Sequence, residues 1–563
     1  SVPASLTINL TAANDTYTVG DGNFTIQGGG VLDYVAAWYI KAAQYLVGDG
    51  AAVANERKAQ FKQALFSQAR TVSFLDDGLP AGADAGKKKG RKGKAAVVSD
   101  SAGARASQPS NADTAPGTIA ALQAANDIFE LQEQQNQAAR ERIGVAFVST
   151  NSICQGEQVG VLWGWLLKEG IRIAFAHRTF KWSNEAGGQA AVHCVIVGFG
   201  LAQRVEKLTS RRLFDYPQVD GPAVEGPAAR INPYLVDAPD VVLGSRREPL
   251  AAPTALVYGS FALDDGHFTL SVDDRARVLA QDPKAEKFLR PFIGGQEMLH
   301  NQQRWCVWLE GVQADEMRRC KPIYQRVEAV RQWRELSGRD TTRKLAQTPT
   351  LFAEVRQSGS ACIAIPTVSS ERRAFIPMAF LQPEVVGSNQ LYLLPHATSY
   401  HFGILSSTMH NAWVRYTCGR LESRYRYSAG IVYNNFPWPP ALATVTAEGL
   451  TPNKPPALLL PAQAAIENAA NAVLAARAAH PNASLAVLYD PATMPPELVQ
   501  AHRALDAAVD AAYVLAMNPK PKFKTDAQRV AFLFGLYEKL VQAVAAHDKP
   551  REAVALADVQ PRT

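Results

Sequence analysis

Between residues 144 and 200 the chain alternates apolar runs with one amphipathic segment, a spacing that few architectures accommodate. GVAFVSTNS (144–152) predicts a strand whose end turns polar, and EQVGVLWGWLLKEG (157–170) predicts a helix. IRIAFA (171–176) reads as a second strand and AAVHCVIVGF (190–199) as a third. Strand, helix, strand and a short return suit the edge of an α/β sheet whose last strand folds back antiparallel. Ligands in such sheets bind at the carboxyl ends of the parallel strands. Two of those ends carry polar or aromatic clusters, Ser149-Thr150-Asn151-Ser152 and His177-Arg178-Thr179-Phe180-Lys181-Trp182, which would lie side by side on one rim.

Phe180 and Trp182 stand among polar residues at that rim. On pattern alone, covering a sheet edge is the commoner use of such rings, and a polar cluster like 149–152 is more often a turn or a helix cap. The functional alternative is a pocket for an extruded nucleobase, which must be held between aromatic or apolar faces.

The rest of the chain divides by composition. Residues 1–30 are rich in Thr, Asn and Gly and read as an irregular N-terminal stretch; with no initial Met, the chain reads as a fragment or a processed product. VLDYVAAWYIKAAQYLV (31–47) predicts a helix buried almost all round, with Asp33 in its first turn. From about Asp76 to Ala138, Gly, Ala, Ser, Lys and Gln dominate, a composition that favours a disordered insertion, closed by a helix over 118–143. The first domain is therefore set at 31–207. Residues 208–440 mix short β-like runs (RWCVWL, ACIAIPTV, FIPMAFL, LYLLP) with helical pieces, as in an α+β module. Residues 441–563 form a helical C-terminal region.

The 563 residues are long enough for about three or four domains. No apolar run approaches the roughly 20 residues that cross a bilayer, and SVPASLTINL lacks the regions of a secretory signal, so the expectation is a cytoplasmic protein with no membrane partner. The six cysteines are scattered without metal-ligand spacing, which predicts reduced core residues and no metal site. Net charge is +6, and the run from Lys87 to Lys94 supplies six positive charges by itself, so a nucleic-acid reading rests on local arrangement.

FVSTNSICQGEQVGVLW, FAHRTFKWSNEAGGQAAVHCVIVGF, LVDAPDVVL, IPTVSSERR, YHFGILSSTMHNAWVR and RYSAGIVYNNFPWP, in that order, resemble the signatures of MmeI-like DNA adenine methyltransferases, the fused modification and specificity enzymes of restriction systems. Phage-exclusion methyltransferases of related architecture are the nearby alternative. The resemblance implies the second half of a Rossmann-like class I methyltransferase sheet (α/β) over 31–207, a target-recognition domain over 208–440, and double-stranded DNA as partner. It implies transfer of a methyl group from S-adenosylmethionine to adenine N6. It also implies a flipped-adenine pocket with Phe180 as stacking ring, Trp182 as runner-up, and Asn151, Asn184 and Tyr34 around them.

The same resemblance calls for a glycine-rich cofactor loop and an N/D-P-P-F/Y catalytic tetrapeptide before residue 31, and these residues contain neither. Gly20-Asp21-Gly22 reads as a turn; Asn232-Pro233-Tyr234 has one proline and falls after the antiparallel strand, and NNFPWPP does not fit either. No catalytic residue is assignable, and the expectation is a chain inactive alone, completed by a separate polypeptide carrying the missing half. The competing class is a non-catalytic sequence-specific DNA-binding module; a decayed remnant is a third.

DNA recognition needs Arg or Lys for phosphates and planar polar side chains for base edges. The candidates are Arg331, Arg334, Arg343 and Lys344 in RVEAVRQWRELSGRDTTRKL, Ser369, Ser370, Arg372 and Arg373 in SSERR, and Arg424 and Arg426 in RLESRYRYS. For any one run a solvated, salt-bridged face is the commoner outcome. Thr367 stands where the family pattern would place a lysine. The Lys87–Lys94 run is expected to add sequence-blind, salt-dependent attraction to the duplex.

Overall fold

The structure, a computed structural model, describes residues 6–10, 16–18, 24–28, 34–47, 116–182, 192–251, 254–357, 359–439, 460–515, 517 and 520–547. It divides into two compact units, residues 1–40 with 145–563 and residues 41–144. Residues 76–115 of the expected insertion, with the Lys87–Lys94 run, lie outside the described residues.

The first 30 residues are not wholly irregular. They hold β1 (Leu6–Leu10), β2 (Thr16–Thr18) and β3 (Phe24–Gly28), in a sheet of order β1-β3-β2. Alternation of Thr with apolar residues in LTINL and FTIQ suits a pleated strand, a signal masked by the polar composition around it. Helix α1 (Tyr34–Val47) follows. Tyr39 and Ile40 are buried, but Trp38 and Tyr45 are 45% and 67% exposed, so α1 keeps an open side instead of being buried all round. A helix laid on one sheet face buries one stripe, whatever its remaining residues are. In the smaller unit α2 (Pro116–Glu141) matches the helix expected to close the insertion.

The central sheet carries the site. β4 (Val145–Thr150), β5 (Ile171–Trp182), β6 (Val192–Leu201), β7 (Arg211–Asp215) and β8 (Val224–Ala228) are arranged in the order β4-β6-β5-β7-β8. β6 is antiparallel to both β4 and β5, and β7 is parallel to β5. The return strand is antiparallel as expected, but it inserts between its two predecessors. The sheet also runs past residue 207 through the β7–β8 hairpin. Helix α3 (Glu157–Lys168) buries Val159, Leu162, Trp163 and Leu166, one stripe at helical spacing, and ends before Gly170, whose φ of 77° terminates the turn. Trp163 Nε1 donates to Ile153 O at 2.9 Å, and Tyr39 stacks on Phe199 at 5.3 Å. Gly198 leaves room for Phe175, whose ring lies 2.1 Å from where a Cβ would stand.

Downstream, β9 (Val257–Tyr258), β10 (Thr269–Leu270), β11 (Leu289–Ile293), β12 (Trp305–Val307) and helix α4 (Lys321–Glu335) open the second module. β13 (Cys362–Pro366), β14 (Val368–Ser369), β15 (Ala379–Leu381), β16 (Val386–Gly387), β17 (Leu391–Pro395), helix α5 (Thr408–Thr417), β18 (Gly419–Leu421) and β19 (Arg424–Arg426) complete it. Its sheets have the orders β10-β12-β11-β16, β15-β13-β17-β9 and β14-β19-β18. Phe268, Phe288, Val307, Ile323 and Val330 share one apolar core. All six cysteines are buried and unpaired.

α6 (Leu460–Ala478), α7 (Pro496–Tyr513) and α8 (Asp526–His547) form the helical end. Among the described residues no helix is long and apolar enough to cross a membrane. α8 packs Phe534 on Trp413 of α5 at 5.1 Å. Asp506 of α7 caps the start of α5, accepting from both the Thr408 backbone N–H and its hydroxyl at 2.6 Å. Burial raises the Asp506 carboxyl to about 6, against the pull of those two bonds. A carboxyl raised in the folded state makes folding more favourable as pH falls from about 6 towards its unfolded value of roughly 4. Asp506→Asn is therefore expected to remove a stability gain of order 2 kcal/mol between neutral pH and pH 4. Urea unfolding of both proteins across that range checks it.

Candidate base pocket and nucleic-acid interface

The rim forms because β4 and β5 both end against β6. Thr150 and Phe180 both pair with Cys194, which aligns the two polar ends on one row. The register of β5 shifts between His177 and Phe180, so Arg178 and Thr179 form a bulge that re-aims the strand end. Across β6, Asn151 Nδ2 donates to Thr179 Oγ1 at 3.4 Å.

Phe180 is half-buried, and Trp182 is 49% exposed. Their centroids lie 6.1 Å apart with planes tilted by 52°, so they are neighbours without forming a parallel slot. Phe180 stacks instead on Tyr216, at 5.1 Å and 27°. The Tyr216 hydroxyl lies 2.8 Å from His177 Nδ1, and His177 stacks on Phe214 at 4.1 Å and 5°. Burial, helped by the neighbouring Arg212, lowers the His177 pKa below its ordinary value. Arg178 turns away from the rim: it donates to Leu235 O at 2.9 Å, pairs with Asp215 at 3.0 Å and lies over the Tyr416 ring. Of the five residues expected at the pocket, Phe180, Trp182 and Asn151 come together. Asn184 lies outside the described residues, and of Tyr34 only the backbone, at the start of α1, is described. Tyr216 escaped the sequence reading; the aromatic pair in LFDYP, directly after a short strand, was its one signal.

The basic candidates separate into two places. VSSERR and RLESRYRYS meet in the small sheet, where Val368 pairs with Arg426 and Ser369 with Tyr425. Alternation along β19 turns Tyr425 inward and leaves Arg424 and Arg426 exposed. Arg424 pairs with Glu422 at 2.9 Å. Arg372 is exposed, Ser370 accepts from its backbone N–H, and Arg373 is half-buried with its Nε unpartnered. Ser369 is a correction: it is 3% exposed and its hydroxyl is buried, because its β14 position faces inward beside Tyr425.

Arg334 is the larger correction. Its side chain is fully buried, and its five N–H groups donate to the carbonyls of Ala262, Leu263, Leu345, Thr348 and Leu351. It ties loops to α4 and has no donor left for a phosphate. Its neighbours stay at the surface in local pairs, Arg331 with Glu328, Arg343 with Asp340 at 3.2 Å and Lys344 with Asp340 at 3.0 Å. Such exposed pairs contribute little and exchange readily for other anions.

The tetrapeptide look-alikes are structural. Asn232 is fully buried, and its Oδ1 accepts from the backbone of Tyr234 and Val236. Asn435 Nδ2 donates to the carbonyls of Gly244, Gly430 and Ile431.

A short seam joins rim to small sheet. Gly156 N–H donates to Thr417 O at 3.0 Å, and Arg420 Nε donates to Gln155 Oε1 at 3.2 Å. A Cβ on Gly156 would stand 3.0 Å from Gly419 Cα.

This order of parts coincides with that of one family. Residues 129–215 match the MmeI DNA-methyltransferase domain, 237–440 the MmeI target recognition domain and 461–545 the MmeI C-terminal domain. The chain belongs to the MmeI-like family. It is 35% identical over 399 residues to DNA methyltransferase A of Bacillus subtilis (strain 168), covering 71% of this chain and 42% of that protein. A solved structure of the Type IIL restriction-modification enzyme MmeI in complex with DNA matches with a TM-score of 0.61 and 42% identity, over 75% of this chain and 52% of that one. The chain thus spans about half the length of these two relatives.

Proposed function

We propose that the chain supplies the base-stacking wall and the target-recognition module of an adenine-specific, S-adenosylmethionine-dependent DNA methyltransferase of a restriction-modification or phage-defence system. The observation that supports this most is the placement of Phe180. It is a half-buried ring at the carboxyl ends of the parallel strands, backed by a second ring and tied through the Gly156 seam to a sheet that exposes Arg424 and Arg426. A purine swung out of the duplex needs such a face.

Among the described residues none forms a glycine-rich seat for the cofactor. Gly20-Asp21-Gly22 lies outside the described residues, and Asp215, the acid at the end of β7, is committed to Arg178. No step through S-adenosylmethionine follows from these residues. Nor does the rim carry the catalytic tetrapeptide, since Asn151 is followed by Ser152, Ile153 and Cys154 and not by two prolines. On this reading the chain stacks and orients the base, and methyl transfer needs a polypeptide bearing the missing half. With labelled S-adenosylmethionine, the purified chain alone is expected to give no transfer, and addition of a polypeptide bearing the missing half to give N6-methyladenine in digested DNA. Transfer by the chain alone, or methylated cytosine, would refute the reading. Phe180→Ala in the completed enzyme should lower kcat/KM about 5- to 150-fold, the worth of roughly 1–3 kcal/mol of base stacking. A catalytically silent specificity module, the reading favoured by the missing tetrapeptide, predicts DNA binding without transfer in either mixture.

Arg426 is exposed on β19 and has no ion-pair partner among the described residues. Arg426→Ala is expected to weaken binding to DNA selected from a random pool by about 1–3 kcal/mol, against little change for Arg331→Ala. Titration at two salt concentrations separates a lost phosphate contact, which lowers the salt slope by about 1, from a lost base contact.

A further inference from the structure

We infer that Tyr216 and His177 are positioning residues that hold Phe180 in the orientation a flipped base requires; this rests on the reading of Phe180 as the stacking ring. A half-exposed phenyl ring at a strand end is free to change rotamer on a picosecond to nanosecond scale unless a neighbour holds it. Here one face of Phe180 is covered by the Tyr216 ring, at 5.1 Å and 27°. Tyr216 is fixed in turn at its far end, with the hydroxyl 2.8 Å from His177 Nδ1. His177 lies flat on Phe214, at 4.1 Å and 5°, and Phe214 sits on β7, which pairs with β5 at that residue. The backbone closes the same frame, since Lys181 N–H donates to Val219 O at 2.6 Å and brings the segment after β7 alongside the end of β5.

The result is a ladder of rings running from the sheet out to the rim, Phe214, His177, Tyr216 and Phe180. Only the last of them is placed to receive a base. The Nδ1 of a neutral imidazole accepts the phenol proton in one tautomer and donates to the phenol oxygen in the other, so in either case the hydroxyl distinguishes Tyr216 from a phenylalanine of the same shape. A stacking wall works when it is already oriented before the base arrives, because the cost of ordering it is then not taken from binding.

The test uses the full chain bound to its selected DNA, with 5-iodouracil at the target position opposite a mismatched base so that extrusion costs little. Near-ultraviolet light then joins the base to a ring stacked against it. In the unaltered chain the crosslink is expected to map to Phe180, and Phe180→Ala to abolish it. Tyr216→Ala should lower the yield about five- to ten-fold, and Tyr216→Phe and His177→Gln about two- to three-fold, each read at saturating protein so that only complexes are compared. An unchanged yield in Tyr216→Ala, with Phe180→Ala abolishing it, overturns the positioning role and leaves the stacking role standing. No crosslink at Phe180 in the unaltered chain overturns the stacking role itself. Should Tyr216→Ala fail to fold, Tyr216→Phe and His177→Gln decide: yields equal to the unaltered chain in both overturn the inference.

Discussion

Arg334→Met is expected to destabilise the recognition module by about 3–5 kcal/mol, a large part of what holds a domain together. The methionine fills much of the space and supplies no donor. Five carbonyls, those of Ala262, Leu263, Leu345, Thr348 and Leu351, lose their partner together, and that of Ala262 lies on a fully buried bond. Each buried acceptor left unmade costs about 1–3 kcal/mol, less what relaxation and entering water recover. Because these carbonyls come from two separate stretches, 262–263 and 345–351, the loss falls on both at once. Urea unfolding followed by tryptophan fluorescence measures it. Arg331→Met and Arg343→Met, which remove only exposed local pairs, should shift stability by less than about 1 kcal/mol. A silent Arg334→Met would show that water or neighbouring donors already serve these carbonyls.

Gly156→Ala is expected to cost about 2–4 kcal/mol and to loosen the sheet from the recognition module. Gly156 has φ 65° and ψ −151°, a region essentially confined to glycine. Its added Cβ would also meet Gly419 Cα at 3.0 Å and Gly419 N at 3.2 Å, backbone atoms that cannot rotate aside. Relieving both strains means breaking the bond from Gly156 N–H to Thr417 O and shifting Arg420 from Gln155. Two unfolding transitions in place of one, with affinity for the selected DNA retained, are the expected result. A single unshifted transition would mean that the seam does not couple the two parts.

Some of this was legible in the residues and some was not, for definable reasons. The period of the apolar pattern placed β4, α3, β5 and β6 within a few residues, because burying one face of a strand or helix writes its repeat into the sequence. It ran short at β5, which continues through HRTFKW to Trp182: a bulged strand with polar residues has no clean repeat of two. Phe180, Trp182 and Asn151 were found as a rim because parallel strands carry ligands at their carboxyl ends. Tyr216 was missed because its partner is 36 residues away in the chain, by the numbering of Phe180 and Tyr216, and no local pattern records a stacking partner.

By itself the sequence determined the run of strand, helix, strand and return strand from β4 to β6, the family, and the absence of the two catalytic motifs from these residues. Only the tertiary structure decided that the return strand lies between its predecessors and that Phe180 stacks on Tyr216. It alone decided that Arg334 points inward while Arg426, a residue of the same type in an equally basic stretch, points out. The physical reason is that periodicity is a property of one element facing one environment. The direction of a long cationic side chain depends instead on whether distant loops present carbonyls to it, and that balance of desolvation against hydrogen bonding exists only once the chain has folded.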